Sequence, residues 1–270
     1  MNSLVRMQSS WLCMFLGGCL TLTGCRTLQT ASSRPAAFQH QLTSEQLVVH
    51  SDFPLAEDHR LIDELTTQRD WLTDKLRLAA TDVPIHVYLY SDEQAYHEFV
   101  DLRYPGFASR RAIFVEDHVN LSVYACWGDQ VADDLRHEVS HGYLHAAVPN
   151  LPLWLDEGLA EYFEVGTARE GLNGVHAEFL RQQLARGDWQ PNLNRLEQLS
   201  SAVDMTQADY SEAWAWVHFL LESRDNKAEV LTDYLNDLQH GGAGAMLSTR
   251  IRKRLAGPEL ALVEHLDSLR

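Results

Sequence analysis

The sequence predicts an α+β fold: a mixed β-sheet with helices in the N-terminal half, then a mostly helical C-terminal half. Three observations predict it. Short alternating, β-branched runs such as "PIHVYLY" at 84–90 fall before Gly128. After Gly128 apolar residues recur at helical spacing almost to the end of the chain. Strands first and helices afterwards is the order of an α+β domain rather than of an alternating α/β one. The 270 residues are 45% hydrophobic, enough for a sizeable core.

The first 24 residues are expected to lie outside the fold as a signal peptide. "MNSLVRMQSSWLCMFLGGCLTLTGC" carries one positive residue, Arg6, then an apolar run from Trp11 to about Thr23. That run is too short to span a bilayer and suits a signal-peptide core. It ends in Leu22-Thr23-Gly24-Cys25, which resembles the bacterial lipobox, with cleavage before Cys25 and lipid on its thiol. Several acyl chains on one residue give stable anchoring where one chain is marginal. Arg26 follows the cysteine, rather than an Asp, which favours an outer-membrane address over inner-membrane retention. The expected location is therefore the bacterial cell envelope, periplasmic or surface-exposed. Residues 25–42 are polar, small and Pro-containing and read as a flexible tether.

The domain proper is expected over 43–270, with a mixed α/β part at 43–128 and a helical part at 129–270. "EQLVVHSD" is the first strand. Leu61, Ile62, Leu65, Leu72 and Leu76 mark a helix within 55–80. Asp92 to Leu102 is a short helix, and "RAIFVED" and "HVNLSVYA" are two strands joined near Asp117. Asp129 is the expected N-cap of the next helix. "PLWLDEGLAEYFE" opens on Pro, a first-turn signal, and further helices are expected at 173–187, 207–223, 227–239, 243–255 and 258–269. A cleft between the two halves is the expected place for a site.

Charge and cysteine content narrow the function. Against 22 Lys+Arg stand 38 Asp+Glu, a net charge of −16. That excludes a general nucleic-acid binder, whose affinity rests on cationic neutralisation of phosphates. It also disfavours docking onto anionic lipid, so membrane attachment rests on the N-terminal lipid. With Cys13, Cys19 and Cys25 accounted for by the leader, Cys126 is the one cysteine left. No internal disulfide follows, and Cys126 reads as a small buried hydrophobe.

The chemistry is concentrated in "LRHEVSHGYLH", Leu135 to His145. His137, Glu138 and His141 form H-E-x-x-H. With 13 His in the chain, about 0.04 such matches are expected by chance. On a helix His137 and His141 lie about 40° apart and one turn along, so both imidazoles can reach one Zn²⁺. Glu138 points to the side, where it can act as general base. A catalytic zinc wants a third protein ligand. His145 stands about 12 Å from His137 on a straight helix, too far for both to hold one ion. It is expected to pack or to hydrogen-bond. Glu157, sixteen residues after His141 on a separate helix, is a downstream candidate for the third ligand.

H-E-x-x-H followed by W-L-x-E-G-x-A at 154–160 resembles the gluzincin zinc peptidases, the peptidase-MA group that includes thermolysin and the aminopeptidase-N family. The resemblance is specific over 135–163 and extends to about 129–220. It implies a zincin-like fold, one Zn²⁺ per chain held by His137, His141 and Glu157, and a peptide or protein substrate. By analogy with thermolysin-like sites, Glu161 is expected to hydrogen-bond a ligating histidine; Asp156 falls on another face and is left unassigned. "DYSEAWAWVHFLLE" resembles the aminopeptidase-N helix Y-x-x-G-x-x-L-x-x-x-L, which makes Tyr210 the oxyanion donor. Its small residue is Ala213 rather than Gly, and Trp216 replaces the first Leu. His218 on the same helix is the competitor, otherwise a core histidine. No G-x-M-E-N stretch is present, which favours an endopeptidase over an aminopeptidase. Two other readings stay open: a non-catalytic lipoprotein that keeps the fold for binding or assembly, and a zinc amidase acting on a non-protein amide.

Overall fold

The computed structural model describes residues 38–107, 109–223, 227–242 and 244–269. Cys25, the leader at 1–24 and most of the expected tether lie outside the described residues.

Five strands form one sheet: β1 (His40–Ser44), β2 (Leu47–Ser51), β3 (Ile85–Tyr90), β4 (Ala112–Glu116) and β5 (Leu121–Cys126), in the order β1-β2-β3-β5-β4. The central pairs β2/β3 and β3/β5 are parallel, and both edge strands are antiparallel to their neighbours. Helix α1 (Arg60–Leu76) makes the crossover from β2 to β3, and α2 (Glu93–Arg103) follows β3. The chain then turns helical: α3 (Val131–Ala147), α4 (Leu153–Phe163), α5 (Gly174–Arg186), the single turn α6 (Leu193–Leu196), α7 (Gln207–Glu222), α8 (Ala228–Gln239), α9 (Leu247–Arg254) and α10 (Pro258–Ser268). This is an α+β fold with an N-terminal sheet and a helical C-terminal half.

The two faces of the sheet are covered differently, as a strand period of two allows. Leu47 and Val49 of β2, Ile85, Val87 and Leu89 of β3, and Val123 and Ala125 of β5 face one side. They join the main core with Leu61, Ile62, Leu65, Leu72 and Leu76 of α1 and Leu135, Val139 and Leu144 of α3. The opposite side carries Tyr88, Tyr90 and Tyr124, covered in part by Tyr96 and Val100 of α2. Helix α3 presses closely on the sheet. A Cβ at Gly142 would come within 2.9 Å of Ile85 Cγ2, so the missing side chain sets how near α3 lies to β3.

The helical half is built around α7, whose Trp214, Trp216, Val217 and Leu220 are almost completely buried. A capping box starts it. The Thr206 hydroxyl accepts from the Asp209 backbone N–H while the Asp209 carboxylate accepts from the Thr206 backbone N–H. Helices α4 and α7 approach so closely at Gly158 that a Cβ there would sit 2.6 Å from the Ala213 carbonyl oxygen.

Three expectations need correction. Strand β1 begins at His40, inside the segment expected as tether to residue 42. Asp129 is not the N-cap of α3: the capping position is Gln130, without a side-chain cap, and Asp133 and Asp134 supply negative charge to the first turn instead. The turn α6 was not anticipated; Asn192 caps it by accepting from the Arg195 backbone N–H.

Candidate metal centre

Helices α3 and α4 run antiparallel and face each other with a row of imidazoles on one and a row of carboxylates on the other. The pairings show the direction: His137, early in α3, meets Glu164 at the end of α4, while His145, late in α3, meets Asp156 near the start of α4.

At the centre three donor atoms converge. His137 Nε2 lies 3.3 Å from His141 Nε2, and each lies 3.7 Å from Glu157 Oε2. Four tetrahedral donors about 2.1 Å from one ion stand about 3.4 Å apart, so this triangle has the edges of one face of such a site. The remaining ring nitrogens are already engaged. Nδ1 of His137 lies 3.0 Å from Glu164 Oε2 and Nδ1 of His141 lies 2.8 Å from Asp156 Oδ1. A carboxylate accepts there, so each Nδ1 carries the proton and each Nε2 offers its lone pair to the centre. Glu157 Oε2 is buried and has no hydrogen-bond partner among the described residues. Two lone pairs and an unpartnered carboxylate oxygen facing one point are costly to bury unless a cation joins them.

The electrostatics show an excess of buried carboxylate, which favours a cation between these groups, whether a proton or a metal ion. Burial alone would push the His137 ring down, yet the carboxylates of Glu157 and Glu164 hold it well above the ordinary imidazole range. Burial likewise opposes charge on His141, and Asp156 outweighs it. Two other groups of three ligand-type residues lie nearby, His141/His145/Asp156 and His137/Glu161/Glu164. Their atoms are spent on hydrogen bonds to each other and to neighbours. The His137/His141/Glu157 group is the one with open lone pairs.

Two expectations for this region change. Glu161 hydrogen-bonds neither His137 nor His141: its Oε2 lies 2.7 Å from His176 Nε2, and His176 Nδ1 in turn meets Ser211 Oγ at 2.8 Å. Glu164 takes the place expected for Glu161: its Oε2 meets His137 Nδ1, while the Glu161 carboxylate turns to His176. Asp156, read as facing elsewhere, bridges α3 with both oxygens, Oδ1 to His141 and Oδ2 2.9 Å from His145 Nε2. Nδ1 of His145 continues to Glu116 Oε2 on β4 at 2.7 Å. His145 is thus a link in a chain Glu116–His145–Asp156–His141. Burial opposes its charge, but Asp156 and Glu116 raise it to about 10. Asp156 is depressed in return: burial opposes its ionisation, and the His141 and His145 rings outweigh burial.

A cleft of about 470 Å³ opens beside the centre, with His137, Glu138, Glu164, Arg110, Arg111, Asp133 and Asp134 on its walls. Glu138, one residue past His137 on α3, is buried, and no described residue hydrogen-bonds its carboxylate. Tyr210 stands in the first turn of α7. Its hydroxyl accepts from Arg110 Nη2 at 3.1 Å and lies 3.4 Å from the Ala202 carbonyl oxygen. Burial raises this phenol, and the Glu157 charge adds to the rise, while Arg110 and His137 pull it back. Tyr210 is therefore within electrostatic reach of the centre. His218 is not there. Its Nδ1 lies 2.8 Å from His265 Nε2, among Tyr162 and Trp214. Cys126 is half-buried and free, in the aromatic cluster under α2, and burial raises its thiol.

Sequence reasoning missed Asp156, Glu164, Glu116 and Arg110. A signal existed for Glu164: Glu157, Glu161 and Glu164 at i, i+4 and i+7 form one acidic stripe, complementary to the His137/His141/His145 stripe. For Arg110 there was none, since it stands in the irregular segment between α2 and β4.

A comparison with curated proteins returns no match. Residues 133–240 match the model of a family described as "Protein of unknown function (DUF1570)", a span from the first turn of α3 through α8 that includes every candidate ligand and Tyr210 and leaves out Arg110 and Glu116.

Proposed function

We propose that this protein is a zinc-dependent metallopeptidase of the gluzincin type with a zincin-like fold, acting as an endopeptidase and anchored to the bacterial cell envelope through a lipidated Cys25. The observation that carries the proposal is the triangle of His137 Nε2, His141 Nε2 and the unpartnered Glu157 Oε2 beside Glu138 in an open cleft. The H-E-x-x-H and W-L-x-E-G resemblance supports the same ligand set. Among the described residues no helix is long and apolar enough to cross a membrane, and attachment would rest on the lipid at the lipobox cysteine.

His137, His141 and Glu157 would hold the ion, with Asp156 and Glu164 fixing the imidazole tautomers. Zinc supplies Lewis-acid polarisation and lowers the pKa of water. Glu138 would take a proton from the attacking water and return it to the leaving amine. Tyr210 would donate to the carbonyl oxygen as that oxygen becomes negative.

The test pairs metal analysis with a peptide library read by mass spectrometry. Wild type is expected to hold one zinc per chain and to cleave within peptides, with a chelator abolishing cleavage. Glu138→Gln keeps size and ligands and is expected to retain zinc while losing roughly 10²–10⁴ in rate. Zinc-loaded wild type that cuts nothing, together with a Glu138→Gln chain that restores every phenotype of a deletion strain, would overturn the peptidase reading in favour of a binding or assembly role.

A further inference from the structure

The charges along the cleft are nearly all answered locally. Arg111 makes a two-pronged pair with Asp134, at 2.9 Å from Nε and 2.6 Å from Nη2. Arg136 pairs with Asp133 and with Glu64. Glu164 accepts from His137. Two charged groups are left over, the Glu138 carboxylate and the Arg110 guanidinium. Arg110 is half-buried, and no carboxylate of a described residue pairs with it. Its contacts are the Tyr210 hydroxyl and the Phe107 ring, 5.6 Å from its central carbon.

That arrangement is unusual for a guanidinium in an acidic protein. Arginine carries five N–H donors and no acceptor, and one of them is used on Tyr210. Burial opposes its charge, and the Tyr210 contact, then the Glu138 and Glu157 carboxylates, support it. The cation is thus placed in the field of the centre without being neutralised by direct contact. The contact with Tyr210 also fixes a direction. Arg110 can only donate, so the phenol oxygen accepts there and the phenol proton points elsewhere. The phenol's other partner among the described residues, the Ala202 carbonyl at 3.4 Å, is distant for an O–H···O bond. A fixed cation and a neutral O–H with a proton to give therefore lie side by side. They come from distant parts of the chain, one before β4 on the wall of the cleft and one on α7, a hundred residues apart in sequence.

We infer that Arg110 is a catalytic residue that works with Tyr210 as a donor pair for the substrate oxygen that takes on negative charge. The inference rests on the hydrolase reading above. In that reaction the water oxygen bonds to the carbonyl carbon, its proton goes to Glu138, and the C=O π pair moves onto the carbonyl oxygen. When the C–N bond breaks, that pair returns to C=O and the proton passes to the amine. Charge appears on the carbonyl oxygen between these two events, and Arg110 and Tyr210 donate to it there. The ligand class is a tetrahedral, singly anionic oxygen centre, not a peptide side chain.

The test compares zinc-loaded wild type, Arg110→Met, Arg110→Lys and Tyr210→Phe on a peptide cut in the library and on its phosphinic analogue, whose tetrahedral anionic group mimics the intermediate. Arg110→Met should lower kcat by roughly 10²–10³, the usual cost of one lost oxyanion donor, with KM within about threefold. Calorimetric affinity for the phosphinic peptide should fall in parallel, with zinc content and melting temperature kept. Arg110→Lys, which keeps the charge, should recover part of both losses, and the double variant with Tyr210→Phe should cost less than the product of the single effects. Unchanged kcat in an active Arg110→Met enzyme overturns the inference while leaving the hydrolase reading intact. So does a rise in KM restricted to peptides with a free C-terminal carboxylate, which would make Arg110 an anchor for that group. Wild type that neither cuts nor binds the phosphinic peptide overturns both.

Discussion

Two of the imidazole pairs that touch among the described residues are opposites. His137 and His141 on α3 have ring centroids 5.0 Å apart, and His218 on α7 and His265 on α10 have them 5.1 Å apart. In the first pair both inner nitrogens are lone-pair donors, because Glu164 and Asp156 take the protons on the outer side. In the second pair the two rings meet nitrogen to nitrogen at 2.8 Å, one donating to the other. The first pair is ringed by Glu157, Glu164 and Asp156 and is held above the ordinary imidazole range. The second has only Glu222 at a distance, itself engaged by Lys75 and Tyr162. Burial first, then the neighbouring cation or imidazole, brings both rings down to about 4. Proximity of two histidines is therefore not what makes a cation site; an excess of buried carboxylate around open lone pairs is.

The sharpest way to break this contrast is to remove ligands from each pair. His141→Ala and Glu157→Ala are expected to lose zinc nearly completely by metal analysis, whereas His265→Leu keeps a full equivalent. Stoichiometric zinc in Glu157→Ala would refute the ligand assignment. A smaller effect is expected one bond further out. Asp156→Asn and Glu164→Gln should each weaken zinc affinity by roughly 10–100-fold, the usual range for such partners, measured by competition with a chromogenic chelator. Asp156→Asn should be the worse of the two, since Asp156 also holds His145.

The smallest effects are in acid–base linkage, and they have opposite signs. His218 and His265 titrate near 4 when folded and near 6.5 when unfolded. Between those values the unfolded chain binds more protons, so their contribution is whole above about pH 6.5 and is lost as pH falls toward 4. In zinc-free protein His145, at about 10, behaves the other way: its contribution is whole below about 6.5 and is lost as pH rises toward 10. Denaturant melts across pH should show a shallower acid slope in His265→Leu and a shallower alkaline slope in His145→Gln. Unchanged slopes in both variants would mean that the two environments differ less than their geometry implies.

How much of this was legible in the sequence varies with the physics of each part. The His137/Glu138/His141 spacing and Glu157 are local patterns on single helices, and the structure brings them together. The crossing direction of α3 and α4 is not local, and reading α4 in isolation placed Glu161 where Glu164 stands. Strand β1 was taken for tether because "HQLTS" is mostly polar and the tight turn to β2 has no Gly or Asn. Glu45 supplies the positive φ, 50°, that such a turn needs. Arg110 was invisible because irregular segments have no periodicity to read. The boundaries of α5, α7 and α10 agree with the expected spans to within one residue, since each is a strongly patterned helix with a clear cap or breaker.

The contact at Gly158 has a mechanical meaning. The helix that carries Glu157 and the helix that carries Tyr210 meet most tightly at Gly158, whose α-carbon lies against the Ala213 carbonyl. Glu157 is one residue from that point, and Tyr210 is three residues, under one helical turn, from it. With so short a lever on both sides, any slip at the contact passes almost undiminished to the carboxylate and the phenol. The spacing between the Glu157 carboxylate and the Tyr210 phenol is gauged where one carbon atom is absent.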